Sequence, residues 1–116
     1  MKATHLRIGD IASPIDEYLP QKVAALEDRT VHLAWRQYPE DENEIVPVQL
    51  NFIFFESLAI DIKLLLVKNG FKILGRQGGN FRLLFRLNDF SPEIELTYVH
   101  ELQNLYQLIT GIDLIN

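Results

Sequence analysis

Cysteine is absent from this 116-residue chain, which excludes disulfides, thiolate metal sites, thiol nucleophiles and cysteine redox sensing. Cationic charge is in deficit, with 11 Lys and Arg against 16 Asp and Glu and a formal net charge of −5. Non-specific attraction to phosphate backbones or anionic membranes is therefore unfavourable. Long apolar runs are missing too: nothing approaches the roughly 20 residues that span a bilayer, and Met1 to Asp10 carry charges instead of the apolar core of a signal peptide. The expectation is a cytoplasmic protein with no membrane association.

Catalytic signatures are equally scarce. The only histidines, His5, His32 and His100, fall on three separate predicted elements, too dispersed for a transition-metal site of three or four ligands. Ser13, Ser57 and Ser91 all occupy positions that helix capping explains, and none sits in a glycine-flanked strand-turn-helix elbow. Gln77-Gly78-Gly79-Asn80 lies between two alternating segments, which reads as a tight hairpin turn and not as a phosphate loop opening a helix. No cofactor and no metal is implied, and the reading leans away from an enzyme.

What the sequence does have is a composition, 47% hydrophobic and 23% charged, that supports a folded core throughout. Ser13-Pro14 reads as the start of a kinked helix over 14–27, interrupted by Pro20, with Tyr18, Leu19, Val23 and Leu26 inward. Period-two alternation predicts a strand over 30–38, with Val31, Leu33 and Trp35 on one, buried face. The acidic loop Glu40, Asp41, Glu42 and Glu44 leads into a second strand over 45–55, whose Pro47 places it at a sheet edge or bulge. Ser57 and Gly70 bracket a helix over 58–69. Strands over 71–76 and 80–87 flank Gly78-Gly79, and Ser91-Pro92-Glu93 opens a last helix that stops at Gly111. The fold class is therefore α+β, a single domain over 1–116. Its mainly antiparallel sheet has about four strands in two hairpins with helices packed on one face, in the order α-β-β-α-β-β-α.

Two surfaces follow from this order. The outward face of the second hairpin carries Lys72, Leu74, Arg76, Arg82, Leu84 and Arg86, a mix of cations and leucines suited to a protein partner. Read as a nucleic-acid platform through Lys72, Arg76, Arg82 and Arg86 it lacks the interleaved aromatic rings that stack bases. The helix over 58–69 is apolar nearly all round, broken by Asp61, Lys63 and Lys68, and the last helix has a broad apolar stripe. Leu64 and Tyr106 are the candidate interface residues of a homodimer. The element order, acidity and size resemble those of secretion-chaperone-like α+β dimers, a likeness of topology alone, and fold does not imply function. The expectation is a non-catalytic interaction module, an adaptor, small chaperone or regulatory subunit. The alternative is a small-molecule-binding protein or enzyme with an apolar pocket lined by Trp35, Phe52, Phe54 and Tyr98.

Overall fold

A computed structural model describes residues 1–75 and 81–115. The first half is β-structure. Strands β1 (Ile11–Pro14), β2 (Gln21–Glu27), β3 (Thr30–Leu33), β4 (Glu40–Asp41) and β5 (Ile45–Pro47) form one sheet in the order β4-β3-β2-β1-β5. Every pairing is antiparallel. The β2–β3 connection is a two-residue turn in which Asp28 takes φ +50°, a conformation that Asp tolerates better than most side chains. Pro47 lies in β5, at the edge of this sheet, where its missing amide hydrogen leaves no ladder bond unmade.

The helix expected over 14–27 is replaced by β1, a loop and β2. The cause is a bulge: Val23 pairs with Leu33 but Ala25 pairs with His32, so Ala24 is an extra residue. An extra residue inverts which parity faces inward. Val23 is buried before the bulge and Leu26 half-buried after it, and their three-residue separation mimics a helix face. Ser13 is likewise no N-cap; it is buried, and its Oγ accepts a hydrogen bond from Leu19 N at 2.7 Å.

The second half begins where the expected strand over 45–55 ends early. Asn51 Oδ1 accepts from Phe54 N at 2.8 Å, an N-cap that turns the following residues into helix α1 (Phe52–Ser57). Helix α2 (Ile60–Lys68) follows, and Gly70 terminates it at φ +94°. Strands β6 (Phe71–Leu74), β7 (Arg82–Phe85) and β8 (Ile94–Leu96) form a second antiparallel sheet, order β6-β7-β8. Gly78 and Gly79, together with Arg76, lie outside the described residues. The last helix, α3 (Val99–Thr110), starts later than Ser91-Pro92 suggests, because Asn88 Oδ1 accepts from Phe90 N and Ser91 Oγ and holds a turn there. Glu101 closes its N-terminus by accepting from Tyr98 N at 2.9 Å.

The class is thus α+β with antiparallel sheets, as the sequence implies, but with eight strands in two sheets among the described residues in place of about four. The leading strands in place of a helix also remove the topological likeness to secretion chaperones. Two apolar clusters hold the chain. One lies in the first sheet around Ala12, Val23, Val31, Leu33 and Ile45. The other joins Leu66, Phe71, Leu83 and Phe85 to Val99, Leu102 and Tyr106 of α3. Where the two meet, Gln103 of α3 reaches the N-terminal segment, accepting from Ile11 N at 2.7 Å and donating to Gly9 O at 3.0 Å.

Candidate functional site

Of the face foreseen on the second hairpin, Lys72, Leu74, Arg82 and Leu84 share one side in register, and Arg76 lies outside the described residues. Lys72 pairs with Leu84 and Leu74 with Arg82, and directly opposed residues share a sheet face. Lys72, Arg82 and Arg86 are exposed, Leu74 is half-buried and Leu84 is buried. Strand β8, which sequence reading assigned to a helix, changes the electrostatics. It brings Glu95 opposite Leu84, where its carboxylate accepts from Arg82 Nε at 2.9 Å and Nη2 at 3.4 Å. That pair raises the Arg82 pKa and lowers that of Glu95. A depression of about 580 Å³ beside it is lined by Lys68, Lys72 and Arg86 but also by Asp89 and Glu93. Among the described residues, interleaved acids leave no continuous cationic track for a nucleic-acid backbone.

Helix α2 offers a different surface. Ile60, Leu64 and Val67 are 70%, 64% and 62% exposed, and at about 100° per residue they fall on one stripe. Leu66, with Ile62 and Leu65, faces the core on the opposite side. The all-round apolarity of this helix thus has two halves, one buried by its own chain and one facing outward. Asp61 and Lys68, both exposed, flank the outer stripe on the same side, two turns apart.

Tyr106 is no surface residue. It is fully buried within the second cluster, because Val99, Leu102 and Tyr106 form the inward stripe of α3, so the interface role expected for it is withdrawn. Trp35 corrects a second expectation: it is 68% exposed. The alternation Val31, Leu33, Trp35 outlasts the strand, whose ladder ends at Leu33, and Trp35 N donates instead to the side chain of Gln21 at 2.7 Å. Trp35 therefore stands in the loop after β3, while Phe52 and Phe54 lie on α1 and Tyr98 at the start of α3, so the four are spread over three parts of the chain.

The serines are occupied locally. Ser57 Oγ donates to Phe54 O, Ser91 Oγ to Asn88 Oδ1, and Ser13 Oγ lies among Pro14 O, Glu17 O and Leu19 N. Among the described residues no group of three His, Asp or Glu side chains is placed to hold a metal ion, and no helix is long and apolar enough to cross a membrane. The acidic loop is also partly used internally. Glu42 Oε2 accepts from Ala3 N at 2.8 Å and Oε1 from Arg29, which lowers its pKa, and Glu40 holds Arg36 at 2.9 Å.

A buried polar seam escaped sequence reading. Asp10 and His100 are 2% and 6% exposed. Burial raises the pKa of Asp10 against the lowering effect of a hydrogen bond from Arg7 N, and lowers the pKa of His100. Beside them Arg7 donates to Asn104 at 2.8 Å and Gln107 at 2.9 Å. The signal was present as the amide stripe Gln103, Asn104, Gln107 on α3, which has no partner until β1 is placed beside it. Comparison with known proteins finds no match among family models, curated proteins or solved structures.

Proposed function

We propose that this chain is a non-catalytic protein-interaction module that associates with a second copy of itself through the outer face of α2. The observation that carries the reading is the exposed stripe Ile60, Leu64 and Val67 on a helix already anchored by its other side. A two-fold axis beside Leu64 would set two α2 helices antiparallel. Because Asp61 and Lys68 flank the stripe on the same side, that arrangement places each Asp61 against the partner subunit's Lys68, twice over. The helix dipoles oppose as well. Neither residue has an ion pair among the described residues.

Burying six such side chains, each about two-thirds exposed, contributes about 6–12 kcal/mol. Association itself costs about 4–15 kcal/mol. The dimer is therefore weak, with a dissociation constant in the micromolar range or above. The exposed Asp61–Lys68 pairs supply orientation more than affinity, at about 0–1 kcal/mol each. Sedimentation equilibrium from about 10 µM to about 1 mM should show reversible association that changes little between low and moderate salt and disappears in Leu64→Asp. A monomer throughout that range overturns the reading, and undiminished association of Leu64→Asp overturns the assignment to α2.

A further inference from the structure

The first sheet carries an exposed surface unrelated to α2. Two of its loops, residues 15–20 and 34–39, present Ile15 (59% exposed), Tyr18 (65%), Trp35 (68%) and Tyr38 (70%). These loops are neighbours. Arg36 of one pairs with Asp16 of the other and with Glu40 at 2.9 Å. Gln21, 2% exposed, spans them from below, its Nε2 donating to Leu19 O at 3.1 Å and its Oε1 accepting from Trp35 N at 2.7 Å. Ser13 Oγ fixes Leu19 N, and His32 Nε2 lies 3.0 Å from Arg36 O. Buried polar groups are thus devoted to holding loops whose aromatic side chains face water. Apolar rings on an immobilised backbone lose little conformational entropy on binding, and Trp, Tyr and Arg are the residue types that dominate binding energy at protein interfaces.

Charge selects the partner. Residues 1–51 hold five cations (Lys2, Arg7, Lys22, Arg29, Arg36) and nine acids (Asp10, Asp16, Glu17, Glu27, Asp28, Glu40, Asp41, Glu42, Glu44), a net −4 of the chain's −5. At the loops the only arginine is already held by Asp16 and Glu40. A cavity of about 330 Å³ between Asp16, Arg36, Tyr38 and Glu40 includes Glu40, whose buried Oε2 accepts no hydrogen bond from the described residues. A nucleic acid would find rings to stack on but an acidic surround for its phosphates. A second copy would bring like charge against like.

We propose that loops 15–20 and 34–39 form a docking surface for an arginine-rich segment of another protein. Guanidinium planes would stack on Trp35, Tyr18 and Tyr38, a preference of Arg over Lys at aromatic faces, while the exposed carboxylates of Asp16 and Glu17 accept their N–H groups.

Trp35 is the only tryptophan in the chain and so reports directly on this surface. Amidated hexa-arginine should change its emission saturably, hexa-lysine should bind several-fold more weakly, and hexa-glutamate and a single-stranded oligothymidine should have no effect. Tyr38→Ala and Glu17→Gln, at exposed positions where folding is not at stake, should each weaken hexa-arginine binding by about threefold or more. Asp28→Asn, in the β2–β3 turn, removes the same charge away from the loops and should leave binding within about twofold. An emission insensitive to hexa-arginine, an equal response to the oligothymidine, or equal losses from Asp28→Asn and Glu17→Gln would each overturn the proposal. The last result would reduce the attraction to diffuse charge.

Discussion

Replacing Gly70 by Ala tests the junction between the helices and the second sheet. Gly70 has φ +94°, and a Cβ built on it would lie 2.3 Å from the backbone oxygen of Arg86, 3.4 Å from that residue's carbonyl carbon and 3.6 Å from Phe85 Cε2. The obstacle is main chain and cannot rotate away. It is pinned by the Phe71–Phe85 register and by Arg86 N donating to Gly70 O at 3.1 Å. Gly9 makes a matched control, since it has the same φ of +94° but nothing within 4 Å of the built Cβ.

An L-residue in this left-handed region costs about 1–2 kcal/mol. The lost freedom of the unfolded chain returns about 0.4–1 kcal/mol. Gly9→Ala should therefore destabilise by no more than about 1.5 kcal/mol. Gly70→Ala carries the same strain plus a displacement of β7 against the core. Forcing an extra methyl into packed structure costs about 1–3 kcal/mol, and the Phe71 and Phe85 rings, 4.8 Å apart, must shift with it. The difference between the variants should be about 1–3 kcal/mol, or roughly 4–12 °C in Tm for a domain of this size. Urea unfolding followed by far-UV circular dichroism measures it; Trp35 emission is a poor reporter because that side chain is exposed in the native state. Equal destabilisation by the two substitutions would refute the close approach of Gly70 to β7.

Gln103→Ala should cost about 2–3 kcal/mol although no apolar contact is its main loss, because it strands Ile11 N and Gly9 O together in a part-buried seam; a cost below about 0.5 kcal/mol would mean that α3 does not hold the N-terminal segment. The buried imidazole of His100 has a folded-state pKa below its ordinary value of 6.5, so the unfolded chain takes up that proton first and stability falls as pH drops through about 6.5. Asp10, raised above 3.8, works in the other direction: the folded state takes up its proton first, and stability is restored as pH falls through that raised pKa towards 3.8. His100→Gln should flatten the decline between about pH 7 and 5.5 in urea midpoints, and an unchanged slope would exclude His100 as its source.

Much of the second half of the fold was legible because its signals are local. Gly70 after an apolar helix and Gly111 after the last helix mark chain reversals that only a positive φ allows, and both stand where expected. The strand at Thr30–Leu33 was equally visible in its alternation. What misled were features whose meaning depends on distant partners. The bulge at Ala24 is invisible until β3 supplies the register that it breaks. Asn51 competes as a cap against the β-propensity of Phe52 to Phe55, and the cap wins because Phe54 and Phe55 pack on the second cluster from a short helix. Of the candidate surface, Leu64 could be read from the excess apolarity of its helix. The aromatic loops could not, since Trp35 and Tyr18 belong to segments that sequence reading placed inside a strand and a helix.

The two proposed surfaces belong to different apolar clusters, and this separation bears on what the molecule can do. The α2 stripe is anchored through Leu66 to the second cluster, whereas the loops bearing Tyr18 and Trp35 are anchored through Ser13 and Gln21 to the first sheet. The clusters meet at α3, through Gln103 and the Arg7 contacts to Asn104 and Gln107. Beside those hydrogen bonds Ile11 of β1 packs on the second cluster, so polar and apolar contacts together join the halves that bear the two surfaces. Pairing through α2 as proposed would present two copies of the aromatic loops on one assembly. A partner with two arginine-rich segments would then gain affinity from effective concentration, without any new contact in either surface.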